Sequence, residues 1–297
     1  MARRTDGGVA ACDLPAMQPD IFIAIIACAA LHALWNSFLK IKADPAVATT
    51  MLAVGGGIAG TGLLCFTGMP DPRALPFLAL SVVIHLFYWT SLGKAYAAGD
   101  VCRVYPLARG AAPVITTLLA IPLFGEFPSA HAWAGIATVT AGVFLIAIKR
   151  DAGTVELNRD TLKFAAMVAV TIPAYSLVDG YGGRLAGSGF AYTAFLYVCN
   201  GWALLAYGLV KQRAALIETL DRNWHLGLFT GSLSLLSYAV AIWAMSHAPI
   251  GLVAALRETS ILFALGFASV LLKERLRFAG VAGATLVLSG LVVIRMA

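Results

Sequence analysis

The chain has 297 residues, of which 60% are hydrophobic and only 12% are charged, and its mean hydropathy is +0.84. Soluble domains are about one quarter charged, so this composition excludes an ordinary soluble protein and indicates a chain solvated largely by lipid. The net charge of +6 comes from basic residues that lie mostly between apolar runs, which argues against nucleic-acid binding and favours residues flanking membrane spans.

Ten apolar runs follow a polar N-terminal tail of residues 1–20, and each is long enough to cross a bilayer as a helix. The predicted helices cover residues 21–41, 46–68, 76–98, 101–123, 129–149, 161–183, 188–210, 224–246, 251–272 and 277–296. A β-barrel is excluded because the runs are too long and lack period-two alternation. We therefore predict an all-α integral membrane protein with ten transmembrane helices.

The chain also contains an internal repeat. A polar linker at 150–160 separates five runs in 21–149 from five in 161–297, and a shift of 148 residues aligns 106–146 with 254–294 at nine identical positions. The rare residue types coincide, namely Arg109/Arg257, Glu126/Glu274, Gly135/Gly283 and Gly142/Gly290. An odd number of helices per repeat makes the second copy enter from the opposite face, so we predict two inverted five-helix repeats. This architecture recurs in secondary transporters.

Two runs are repeated at matching places: Tyr105–Pro113, followed by Leu123–Glu126, and Ala255–Ser260, followed by Leu272–Glu274. Two further segments, His32–Asn36 and Ala174–Gly180, lie in the first helix of each half. On these residues the chain resembles the EamA-type family of the drug/metabolite transporter superfamily over about 20–296. The resemblance implies a basket in which helices 1–4 and 6–9 line a cavity while helices 5 and 10 brace it. The family moves amino acids, sugars, nucleotide derivatives and drugs.

The orientation in the membrane stays open at this point. Lysine and arginine are concentrated in the odd-numbered loops, which by the positive-inside rule puts both termini outside the cell. The resemblance implies cytoplasmic termini instead. In either case we expect a multi-pass protein of the cell (inner) membrane, as a monomer or homodimer, with no cofactor, no metal site and no nucleic-acid partner.

Charged and aromatic residues inside the apolar runs are the candidates for a substrate site, because a charge within the bilayer is costly and marks function. The predicted site residues are His32, Trp35, Asn36, His85, Tyr88, Tyr105, Arg109, Tyr175, Asp179, Tyr238, Arg257 and Glu258.

The two arginines suit an anionic or zwitterionic substrate, since a guanidinium presents a planar fork of donors for carboxylate or phosphate. The alternative is that each is neutralised by Glu258, Asp179 or backbone carbonyls and only joins helices. The acids Asp179 and Glu258 are candidates for proton coupling or for an ion pair with Arg257. Glu126 and Glu274 lie beyond helix ends, where we expect solvated acids with a role in topology or gating.

The aromatic candidates share helix faces with polar groups. His32, Trp35 and Asn36 are spaced i, i+3 and i+4, as are His85 and Tyr88 with Trp89. Such stripes suit a cavity for amphipathic solutes, or else belong to interfacial belts and ordinary packing. Tyr105 shares a face with Arg109, Tyr175 shares one with Asp179, and Tyr238 stands alone. The glycines spaced seven apart in helices 5 and 10 predict close helix packing, with a dimer seam as the alternative.

The leading functional prediction is a secondary transporter of a small polar, anionic or zwitterionic metabolite, working by alternating access. The chain has no Walker A run, so ATP does not drive it directly. One alternative is a non-transporting membrane scaffold or sensor, which leaves the paired arginines unexplained. A membrane-embedded enzyme is disfavoured because the chain lacks H-E-x-x-H and G-x-S-x-G motifs and metal-ligand spacing.

Overall fold

A computed structural model describes residues 17–39, 45–97, 101–148, 159–271 and 278–296. These residues form helices joined by short connections, and no strand occurs among them. The helices are α1 (Pro19–Leu39), α2 (Pro45–Thr67), α3 (Leu75–Ala97), α4 (Val101–Phe124), α5 (Ala130–Ile148), α6 (Arg159–Leu185), α7 (Gly189–Lys211), α8 (Arg213–Met245), α9 (Ile250–Arg257), α10 (Ser260–Leu271) and α11 (Phe278–Arg295), with a 3₁₀ turn at Pro72–Ala74.

Helix occupies each of the ten predicted runs, so the all-helical prediction is confirmed. Within the described residues, seven helical stretches are long and apolar enough to cross a membrane; α4 and α5 contain shorter apolar helices. Residues 1–16 of the predicted N-terminal tail (1–20) lie outside the described residues, and α1 begins at Pro19.

Two helices differ from the prediction. The segment α8 begins at Arg213 with a short helix that was not predicted, and a break at Asn223, whose φ of −132° is not helical, separates it from the helix that starts at the predicted residue 224. The ninth run is split into α9 and α10 by a turn at Glu258–Thr259. The turn is held by i→i+3 bonds such as Ile261 N to the Glu258 carbonyl at 3.1 Å. A short 3₁₀ turn inside a helix often marks a hinge, and this one carries a charged residue of the predicted site.

The packing between helices joins the two halves of the chain throughout. α2 packs against α7 and α8, α3 against α6 and α7, and α1 against α8, α9 and α10, while α4 contacts α6 and α9. Fully buried apolar side chains such as Ile25, Leu78, Ile242 and Leu256 form the core between these helices. Neither half therefore forms a separate bundle.

The contact between α5 and α11 depends on four glycines. A side chain at Gly135 would meet the Gly290 carbonyl oxygen at 3.1 Å, and one at Gly142 would meet the Gly283 carbonyl oxygen at 2.7 Å. The backbones therefore approach closely. The two helices run antiparallel, because the contacting residue in α11 falls from 290 to 283 as the contacting residue in α5 rises from 135 to 142. The glycines serve packing within one chain, which confirms the favoured prediction.

We expect Gly283→Ala to destabilise the protein by about 1–3 kcal/mol, the usual cost of forcing atoms into a packed interior. The added methyl group would lie 2.8 Å from the Gly142 carbonyl oxygen. Gly280→Ala in the same helix is the matched control, because nothing lies within 4 Å of its added carbon. Thermal unfolding in detergent measures both, and equal midpoints for the two variants would contradict this packing.

Candidate functional site

Arg109 of α4 links three helices at the centre of the predicted site. Its Nη2 donates to Glu258 Oε1 at 2.9 Å, and its Nη1 lies 2.9 Å from His32 Nε2 on α1. A guanidinium only donates, so His32 Nε2 acts as the acceptor. The His32 ring also packs edge-on against Trp35, with ring centroids 4.9 Å apart. The pair Arg109–Glu258 therefore joins α4 to the turn between α9 and α10.

Asp179 of α6 is fully buried, and two tyrosines donate to its carboxylate. Tyr192 on α7 bonds to Oδ1 at 2.9 Å, and Tyr238 on α8 bonds to Oδ2 at 2.5 Å. His85 Nε2 on α3 lies 3.9 Å from Oδ2, while its Nδ1 is 3.0 Å from the Ser81 carbonyl oxygen. A carboxylate removed from water needs such donors, because an unpartnered buried charge is strongly unfavourable.

Arg257 of α9 has a different environment from Arg109. Its guanidinium carbon lies 5.2 Å from the centre of the Tyr238 ring, a cation–π contact. Among the residues that the structure describes, no carboxylate lies within 4.0 Å of Arg257. The expected ion pair between Arg257 and Glu258 or Asp179 is therefore wrong: Glu258 is paired with Arg109, and Asp179 with tyrosines.

Aromatic rings connect the acidic and basic parts of the site. Tyr175 lies 4.6 Å from His85, 5.7 Å from Tyr88 and 6.3 Å from Tyr238, measured between ring centroids. Tyr238 occupies a shared position, since its hydroxyl binds Asp179 and its ring face binds Arg257. The site thus combines two guanidiniums, two carboxylates and a cluster of ring faces between helices of both halves.

Comparison with known proteins agrees with this architecture. Residues 163–296 match the EamA-like transporter family. It is part of the drug/metabolite transporter superfamily, so the recognition made from the sequence is confirmed, and its members are membrane transporters.

A solved crystal structure, described only as that of a protein, matches the fold with a TM-score of 0.71 at 17% identity. The match covers 92% of this chain and 94% of the other. At this identity the likeness concerns the fold alone. It extends over both halves, whereas the EamA-like match covers the second.

Most of the predicted site residues come together. Ten of them are linked through the contacts above or through chain neighbours: His32, Trp35, His85, Tyr88, Arg109, Tyr175, Asp179, Tyr238, Arg257 and Glu258. Asn36 lies half-buried on α1. Tyr105 lies on α4, but its side chain is outside the described part of the chain.

Two tyrosines near the site were not predicted. Tyr192 binds Asp179, and Tyr197 packs against Tyr238 at 6.3 Å while its hydroxyl lies 2.9 Å from Ser234 Oγ. Both come from α7, a helix in which no site residue was predicted. The sequence gives little reason to single out these two residues, because single tyrosines are common in membrane helices. The one indication was that the same helical run contains a polar residue, Asn200.

A second polar cluster, the helix-end latch, lies at the ends of α4, α6, α8 and α9. Arg184 Nη2 donates to Glu126 Oε1, and its Nε donates to the Met245 carbonyl at 2.8 Å. Glu126 Oε2 accepts from the Ile250 N–H at 2.8 Å. Glu126 is 8% exposed, so the expectation of a solvated acid is wrong; Glu274 lies outside the described residues.

Local structure explains how Glu126 comes to be buried. Gly125 follows α4 with a φ of +68°, the left-handed conformation that ends helices and that glycine adopts readily. The chain turns back there, and the next side chain points toward α6 and α9. Beside the latch, Phe124 stacks on Tyr181 with ring centroids 4.9 Å apart, and Phe77 lies 5.1 Å from the same tyrosine.

Proposed function

We propose that this protein is a secondary transporter of a small anionic or zwitterionic metabolite, and that it works by alternating access. The family match supports a membrane transporter. The observation that supports the substrate class is Arg257, a half-buried residue within the helix assembly that has no carboxylate partner among the described residues. A buried cation without a counter-charge is costly, which fits a group whose partner arrives as substrate.

The proposal includes ten membrane spans arranged as two inverted repeats, 21–149 and 161–297. Two sets of helix contacts support it, because each has its counterpart under exchange of the repeats: α3 with α6 corresponds to α8 with α1, and α4 with α6 to α9 and α10 with α1. The glycine contact supports it too, since Gly135 with Gly290 is the repeat image of Gly283 with Gly142. Equivalent helices that pack antiparallel are expected for halves of opposite polarity.

Arg257→Gln is expected to slow transport at least tenfold, because a hydrogen bond to a charged group contributes about 1.5–3 kcal/mol and 1.4 kcal/mol corresponds to a factor of ten. The measurement is counterflow into liposomes of pooled labelled amino acids, organic acids and phosphonates. Arg73→Gln is the matched control, since that exposed arginine binds Asp71 at the start of α3. Folded Arg257→Gln protein that transports at the wild-type rate would exclude this role.

The helix-end latch supports alternating access, because it joins the ends of four helices through buried charges. Around it, the Asp71 N–H binds the Ala186 carbonyl at 3.1 Å, which ties the α2–α3 connection to the same end of α6. Buried ion pairs bind tightly when intact and are costly to break, at about 3–5 kcal/mol when one partner is lost. We propose that the latch closes this face of the protein and opens when the site faces it.

Glu126→Gln is expected to open this face, since the amide keeps an acceptor for Ile250 N–H but loses the charge that binds Arg184. The probe is Ala248→Cys, a buried position whose carbonyl accepts from Arg184 at 3.2 Å, in protein with the native cysteines replaced by alanine. A membrane-impermeant maleimide should react at least tenfold faster in the Glu126→Gln protein. Glu218→Gln, in an exposed pair with Arg222, is the control; equal reaction rates in all three would exclude the latch as a gate.

Proton coupling is part of the proposal, with Glu258 as the carrier. An anion held by Arg257 would compete with Glu258 for Arg109. Glu258 would then be a carboxylate without a counter-charge in a low-dielectric site, and taking up a proton removes this unfavourable charge. Asp179 is less suited, because both of its carboxylate oxygens already accept hydrogen bonds from tyrosine hydroxyls.

Glu258→Gln is therefore expected to abolish the response of transport to an imposed pH gradient, while Asp179→Asn keeps it. The measurement is initial counterflow rate in liposomes with and without the gradient. A Glu258→Gln protein that still follows the gradient would show that the carrier lies elsewhere.

The alternatives are weaker on the same observations. A scaffold or sensor gives no role to an arginine without a carboxylate partner or to a latch at four helix ends. The family consists of transporters rather than enzymes. A location in the cell (inner) membrane is proposed with the function, since the apolar helices and the family support a multi-pass membrane protein.

A further inference from the structure

The charged groups of the site differ in how far they can be reached. The Arg109 side chain is 16% exposed and Arg257 is half-buried, whereas the Glu258 side chain is 9% exposed and Asp179 is completely buried. The arginine side chains are thus more exposed than the carboxylates.

Both carboxylates already have partners. Each oxygen of Asp179 accepts from a tyrosine hydroxyl, and Glu258 accepts from Arg109. Within the described part of the chain, no other acid contacts the network. An ammonium group would have to displace one of these partners, whereas an anionic group can bind Arg257, which has no carboxylate within 4.0 Å among the described residues.

Arg257 is surrounded by tyrosine rings and by the thiol of Cys28. Tyr238 lies under its guanidinium, and the half-buried rings of Tyr175 and Tyr197 each lie 6.3 Å from Tyr238. A flat apolar body next to an anionic group would pack against these rings, and offset or edge-to-face pairs are favourable by about 0.5–1.5 kcal/mol beyond burial alone.

We infer that the site takes organic anions that carry a flat apolar body and no positively charged group. This inference rests on the proposed transport function and narrows its substrate class from anions or zwitterions to anions. Arg257 would hold the anionic group, and the rings of Tyr238, Tyr175 and Tyr197 would hold the body.

The test uses four compounds of matched size against full-length protein in nanodiscs, with binding measured by isothermal titration calorimetry. They are 3-phenylpropionate, phenylalanine, 2-phenylethylamine and 3-cyclohexylpropionate, which vary the ammonium, the carboxylate and the flat ring one at a time. We expect 3-phenylpropionate to bind at least tenfold more tightly than phenylalanine or the amine, and several-fold more tightly than the cyclohexyl acid. Arg257→Gln should weaken its binding at least tenfold, Arg257→Lys should recover part of the loss, and Arg73→Gln should change nothing.

Phenylalanine or the amine binding as tightly as 3-phenylpropionate would overturn the inference, as would the absence of acid binding or acid binding that is unchanged in Arg257→Gln. Counterflow of the same labelled compounds separates the inference from the transport function. Tight acid binding without counterflow would count against transport and leave the ligand class standing. Counterflow of a cation or a zwitterion in preference to the acid would support transport and exclude the class.

Discussion

The requirement that a charge in lipid must have a partner organises the interior of this protein. Lipid offers no water to an isolated ion, so Arg109 binds Glu258, Arg184 binds Glu126, and Asp179 receives two tyrosine hydroxyls. Each of these contacts crosses between helices: the two ion pairs join the first half of the chain to the second, and the two tyrosine hydrogen bonds join α6 to α7 and α8. Arg257 departs from the pattern, because its neighbours are the ring face of Tyr238 and the Cys28 thiol rather than a carboxylate.

The helices could be predicted from composition because lipid imposes both the length and the internal hydrogen bonding of a span. The prediction of the helices was weakest in the charged segments between the apolar runs. The stretch after Lys211 is rich in charge and was assigned to a loop, yet it forms the first turns of α8, with Glu218 and Arg222 spaced i, i+4 on an exposed face. Local charge density cannot distinguish a loop from a helix lying in water.

The residues of the site could be predicted from the sequence, but the contacts between those residues could not. Charged residues in apolar runs are rare, so Arg109, Asp179, Arg257 and Glu258 stood out, and polar groups surrounded by lipid gather together. Which acid meets which arginine depends on helix rotation and on the turn that splits α9 from α10, neither of which leaves a pattern in the residues. Glu126 was misjudged for a related reason, because a residue after a helix end is solvated or buried according to where the chain turns.

The four glycines between α5 and α11 have a consequence for how this molecule can move. Backbone oxygens there sit where any side chain would begin, so sliding one helix along the other would drive Val139, Ile146 or Val287 into the main chain of its neighbour. Such a pair has a single register and moves as one rigid unit. The remaining helices must then rearrange relative to this α5–α11 pair, which makes it a suitable fixed reference for comparing the protein in different conformations.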